Sequence, residues 1–122
     1  MVKRTILIGG TVDGVSLAVL SSYTMPNSVG FPSPPFKVTR PQPGTYDVEF
    51  YREAFDAPGP VVTATIYGGA LNLQDNAHVF DSKKNYIRIR TGDSNGNPSN
   101  RSFSFVAVGT YEVEISSLAN SF

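Results

Sequence analysis

The chain has 122 residues, ten basic and ten acidic side chains that cancel, and no cysteine. That length suits one domain with one core, and the charge balance leaves no field to gather nucleic acid or an anionic membrane. Without thiols there is neither a disulfide framework nor a thiolate metal site, and no apolar run approaches the roughly 20 residues that cross a bilayer, so membrane insertion is not expected.

The opening Met1-Val2-Lys3-Arg4 followed by Thr5-Ile6-Leu7-Ile8 starts like a secretory signal, but Gly9, Gly10 and Asp13 break the apolar run and no small-residue cleavage site closes it. The expectation is a protein made in the cytoplasm without a signal peptide. Arg4 to Val12 and Val15 to Ser22 are apolar runs on either side of Asp13-Gly14, a dipeptide whose residues both tolerate positive φ, and the pattern predicts a hairpin. A short helix through Ser16 to Leu20 is the competing reading. Six of the nine prolines then fall between Pro26 and Pro43, which predicts a rigid connector with at most a short strand over Phe36 to Arg40. The division expected is an N-terminal hairpin and Pro-rich arm over 1–35, and a β-sandwich domain over 36–122.

From Gly44 the strand signals come at regular intervals, as in antiparallel sandwiches and jelly rolls. Strands are predicted at Thr45 to Arg52, Val61 to Tyr67, His78 to Phe80, Tyr86 to Thr91, Ser102 to Val108 and Thr110 to Ser116, separated by Gly-, Pro-, Asn- and Asp-rich turns. The fold class expected is all-β, an antiparallel, jelly-roll-like sandwich. One heptad occurs twice, as Gly44-Thr45-Tyr46-Asp47-Val48-Glu49-Phe50 and as Gly109-Thr110-Tyr111-Glu112-Val113-Glu114-Ile115. Each copy alternates with period two, placing Tyr, Val and Phe or Ile toward a core and Thr and the acids outward. The flanks of the copies do not align, so the shared demands of a pleated strand explain the match better than duplication. By the same alternation Val62, Ala64 and Ile66 point inward, as do Ile87 and Ile89, while Tyr86, Arg88 and Arg90 point outward. Phe103, Phe105 and Ala107 make one apolar face, yet Val106 and Val108 make the end of the other face apolar too. A strand apolar on both sides is covered on both sides, and a second copy of the protein is the expected cover.

Phe36 to Arg40, the first heptad, Phe55, Pro60 to Thr65, Tyr86 to Thr91 and Arg101 to Gly109 come in an order that resembles the C1q, tumour-necrosis-factor and H-type lectin jelly rolls of bacterial and phage surface proteins. The likeness covers residues 36–109. It implies a jelly roll that associates as a homotrimer and binds surfaces, often glycans, without catalysis or cofactor.

Candidate chemistry is sparse. His78 is the single histidine, near Asp75, Asn76 and Asp81 but without a nucleophile-elbow motif, and a polar strand-end role is the plainer reading. Asp93-Ser94-Asn95-Gly96-Asn97 has alternating oxygen ligands, but Pro98 and the missing closing Glu depart from an EF-hand, so a solvated connection is the default and no metal is expected. Asn100-Arg101-Ser102 fits a glycosylation sequon, meaningful only in a eukaryotic secretory route. The outward set Tyr86, Arg88 and Arg90 is complemented by Asp47, Glu49, Glu112 and Glu114. Ion pairing across strands or subunits is favoured over ligand contact, in which Tyr86 would stack a sugar and the arginines grip an anion. With Val106 and Val108 these are the candidate contact residues. The leading functional expectation is a non-enzymatic structural or display component of a larger assembly such as a phage particle, a capsid decoration or tail part, located on a virion or extracellular particle surface. Its partners would be copies of itself, other particle subunits and cell-surface glycan. The alternative is a lectin-like module gaining avidity from trimer symmetry.

Overall fold

A computed structural model describes residues 2–52, 54–68 and 72–113. The chain is all-β. Eight strands, β1 (Val2–Val12), β2 (Val19–Met25), β3 (Phe36–Gln42), β4 (Thr45–Phe50), β5 (Val61–Ile66), β6 (Asn76–Ser82), β7 (Tyr86–Gly92) and β8 (Phe103–Val113), form two antiparallel four-stranded sheets packed as a sandwich. The first sheet runs β2-β1-β8-β5 and the second β3-β4-β7-β6. Among the described residues the only helical turn is a 3-10 turn at Asn27–Val29, and no helix is long and apolar enough to cross a membrane.

Period-two alternation makes the strands, and the inward set makes the core. Ile6, Ile8 and Val12 of β1, Tyr46 and Val48 of β4, Ile87 and Ile89 of β7, and Phe103 and Ala107 of β8 are fully buried. Aromatic pairs knit the two sheets: Phe36 meets Phe105 edge-on at 5.0 Å between centroids, and Tyr46 meets Phe103 at 5.0 Å. Val62, Ala64 and Ile66 point inward as expected but stay half-buried, because β5 is an edge strand.

Three sequence expectations need correction. Residues 1–35 do not stand apart from the sandwich: β1 lies between β2 and β8 and pairs with β8 along its whole length, from Val2 opposite Val113 to Val12 opposite Phe103. Asp13-Gly14 does not close a two-residue turn. The connection runs to Ala18, whose carbonyl accepts the Asp13 amide, and β2 starts at Val19 rather than Val15. Strands expected at Ser102 to Val108 and Thr110 to Ser116 are one strand, β8, continuous through Gly109; residues 114–116 lie outside the described residues.

The twin heptads therefore share a pattern without sharing a reason for their glycines. Gly44 sits at φ +74° in the β3–β4 turn, a left-handed backbone that a side chain strains. Gly109 lies within β8 opposite Ile6, where a Cβ would stand 2.7 Å from the Phe55 ring. Phe55 itself packs edge-on to Phe50 at 4.9 Å and is 4% exposed. Gly109 is thus the gap that admits Phe55 to the core. Gly109→Ala should lower unfolding free energy by about 1–3 kcal/mol in a denaturant titration, as overpacking does, and Phe55→Leu added to it should recover part of the loss. A Gly109→Ala protein as stable as the parent would contradict this packing.

Candidate functional site

The outward candidates fall on two opposite faces. Tyr86, Arg88 and Arg90 of β7, with Asp47 and Glu49 of β4, occupy the outer face of the second sheet. Val106, Val108 and Glu112 of β8 occupy the outer face of the first. Glu114 lies outside the described residues.

On the second sheet, ladder register decides which charges meet. Asp47 stands directly opposite Arg88, and the guanidinium grips the carboxylate with both arms, Nε to Oδ1 at 2.7 Å and Nη2 to Oδ2 at 3.0 Å. Those hydrogen bonds, with the carboxylate's charge, hold the Arg88 guanidinium above its ordinary pKa. Glu49 faces Lys37 on one side and Tyr86 on the other. The Tyr86 hydroxyl donates to Asp81 Oδ2 at 3.3 Å, and Lys83 Nζ lies 3.8 Å from Asp81 Oδ1. Arg90 takes a different partner. Its guanidinium carbon lies 4.2 Å from the centroid of Phe80, a cation–π contact, with the His78 ring 6.4 Å from Phe80 on the same patch. Pairing within the chain thus occupies Arg88, Tyr86 and Arg90. Beside them Thr39, Asp47, Glu49, Phe50, Arg52, Asn85 and Tyr86 line an open groove of about 390 Å³.

The outer face of the first sheet is built in rows by the same register. Met25 of β2, Leu7 of β1, Val108 of β8 and Val61 of β5 form one row across all four strands. Tyr23, Gly9, Val106 and Thr63 form the next, then Ser21, Thr11, Ser104 and Thr65, with the Thr11 and Ser104 hydroxyls 2.7 Å apart. Beyond the apolar row lie Thr5 opposite Thr110, and then Lys3 opposite Glu112. Between that last charged pair and the hydroxyl row the face carries no charge. Val61 is 80% exposed, Tyr23 65% and Met25 62%.

A closed end joins the sheets, and sequence reasoning missed it. The Tyr46 hydroxyl donates to the Gly14 carbonyl at 2.7 Å, and Arg40 Nη1 donates to the carbonyls of Gly14 and Val15, each at 2.9 Å. Gly14 in turn lies so close to the β7–β8 connection that a Cβ would clash with the Arg101 carbonyl. Asn100 Oδ1 accepts the Gly44 amide at 2.8 Å, so the sequon asparagine serves a turn. Arg101 Nε pairs with Asp75 Oδ2 at 2.9 Å, and the Asp75 side chain is 3% exposed. The loop read as a calcium candidate is organised by Asp93, whose Oδ1 accepts the Asn95 and Asn97 amides at 2.9 Å; the Asn97 amide above all holds that carboxyl below its usual range. Asp13 does the same for its own turn, with the Ser16 and Val15 amides lowering its pKa. Among the described residues no group of three or more His, Asp or Glu side chains is placed to hold a metal ion. The one signal available for this end was the pairing of turn glycines with nearby Asn, Asp and Arg, which composition alone cannot separate from ordinary loops.

Compared with known proteins, the chain matches no family model, no curated protein and no solved structure.

Burial raises the Tyr46 phenol above its ordinary value of 10.0. A raised folded-state pKa means that the fold holds the neutral form, so the stability it contributes is complete below about pH 10 and falls as pH rises through the folded value. Tyr46→Phe should cost about 1 kcal/mol at neutral pH for the lost hydrogen bond and flatten the alkaline limb of the stability profile. An ultraviolet difference titration of parent against variant reads the phenol directly; ionisation at or below the ordinary value would contradict the burial argument. For Asp47 and Arg88, a double-mutant cycle to alanine should show favourable coupling that shrinks with added salt, while the cycle between Glu49 and Arg88 should show less.

Proposed function

We propose that this protein is a non-enzymatic structural component of a larger assembly, displayed on a particle surface in the manner of a phage capsid decoration or tail part. It works by contact, with copies of itself and with neighbouring subunits. The observation that carries this reading is the row Met25, Leu7, Val108 and Val61, apolar across four strands and continued by Tyr23 and Val106. A single exposed apolar side chain is ordinary, but a contiguous uncharged band on a sheet face marks a surface that functions covered. The order of the strands, with first and last side by side in one sheet, supports the jelly-roll likeness from which a particle role was expected.

A glycan-binding role is the second reading, favoured by the groove beside Tyr86, where Asp47, Glu49 and Asn85 offer hydrogen-bonding groups next to an aromatic ring. That groove is on the face opposite the apolar band, so the two roles are compatible in space. Light scattering on the purified protein at micromolar concentration should return a mass above the monomer. A strict monomer would sink the self-association part of the proposal. A glycan array should return no specific binder if the role is purely structural, and saturable binding abolished by Tyr86→Ala if the groove is a sugar site.

A further inference from the structure

We propose that the outer face of the first sheet pairs with the same face of a second copy about a two-fold axis parallel to the strands, running between β1 and β8. This rests on the self-association proposed above and names the surface and symmetry it uses.

The rows define what such an axis does. Turning the face over places β1 of one copy across from β8 of the other and β2 across from β5, with each row still on its own level. Leu7 then lies over Val108 of the partner subunit, and Met25 over Val61 of the partner subunit, so the apolar band covers itself. Gly9 sits between Tyr23 and Val106 in its row and is buried, with Val106 Cγ2 of the same chain 3.6 Å from where a Cβ would stand. The two-fold sets Val106 of the partner subunit beside that valine, and the same contact repeats on the other side of the axis. The hydroxyl row of Ser21, Thr11, Ser104 and Thr65 meets its own copy, where donors and acceptors are interchangeable.

Charge selects this orientation. Lys3 and Glu112 are opposite one another at one end of the face, both exposed, and no ion pair joins them. The axis puts Lys3 near Glu112 of the partner subunit and Glu112 near Lys3 of the partner subunit. An axis along the rows would instead send these charges to the far end, over Ser and Thr. Aligned sheets cross at about 30°, which leaves the central rows in register and brings the rim charges to within about one Debye length. The area suits a weak, reversible dimer. Strands about 4.8 Å apart and rows about 6.8 Å apart, with three rows across four strands and two rows across β1 and β8 alone, make a plane of roughly 520 Å² per partner, so a pair buries about the 1,000 Å² at the lower bound of a specific interface.

The test is a charge swap between two full-length variants, read by native mass spectrometry and light scattering at low salt. The parent should be a dimer. Lys3→Glu alone and Glu112→Lys alone each replace two attractive contacts by two repulsive ones, and each should weaken the homodimer by roughly tenfold. Mixed in equal amounts, they should form heterodimers at parental affinity, because each contact then joins opposite charges. Repulsion within one chain, between positions 3 and 112 of its own ladder, is not relieved by mixing, so this rescue reports only contacts between copies. Val106→Asp, at a site 38% exposed, should give a folded monomer with the parental circular dichroism spectrum. A mixture with no preference for heterodimers, a trimer, or a dimer indifferent to Val106→Asp would overturn the two-fold pairing and leave self-association standing. A parent that stays monomeric would overturn both.

Discussion

Strand β8 has apolar side chains on both faces and a hydrogen-bonded neighbour on both edges, and the rest of the sandwich is arranged around that fact. Its inward residues Phe103, Phe105 and Ala107 are the floor of the core, and Phe36, Tyr46 and the β1 isoleucines pack onto them. Further along, Gly109 opens the space that Phe55 fills, and Tyr111 reaches Phe31 of the Pro-rich connection at 6.4 Å between ring centroids. Its outward residues Val106 and Val108, each 38% exposed, have no such partner among the described residues. Inward burial is satisfied by the fold; outward, the described residues leave an apolar face.

The closed end shows how a small cysteine-free sandwich fixes the relation of its sheets. Hydrophobic burial favours two sheets face to face but tolerates sliding, whereas directional bonds do not. Tyr46 belongs to the second sheet, and Gly14 to the connection between two strands of the first. A single hydroxyl joins them from inside the core, and Arg40 repeats the link from the rim. Thr91 extends it, donating to the Ser99 carbonyl at 2.6 Å and so holding the β7–β8 connection against the turn at Gly44. Side chains of three strands, Arg40, Tyr46 and Thr91, thus tie together connections that are far apart in sequence.

Strand positions were legible because one face of each strand is buried and the period is two: β4, β5 and β7 match their expected spans within two residues at either end. Pairing was not legible. The ladder between β1 and β8 joins residues separated by nearly the whole chain, and nothing in either segment's alternation names the other, so alternation alone sets β1 in an N-terminal hairpin outside the sandwich. The same limit explains the charges. Asp47 and Glu49 are equally outward on one strand, and only register selects Asp47 as the partner of Arg88. Val106 and Val108 were visible as an apolar second face within one strand, but Leu7, Met25, Val61 and Tyr23 belong to three others. They become a surface only when four strands are aligned. Glycine gave opposite lessons in the two heptads, a turn at Gly44 and a vacancy at Gly109, because the residue that needs the vacancy, Phe55, is far away in sequence.

The central claim is that the outer face of the first sheet functions covered. Methyl resonances of Val61, Val106 and Val108, recorded with a soluble paramagnetic probe while the full-length protein is diluted, test it at the atoms concerned. Protection of these methyls at high concentration, lost on dilution while Ile87 and Ile89 remain protected throughout, is the result the account predicts. Valine methyls on this face that relax with the probe equally at every concentration would contradict it.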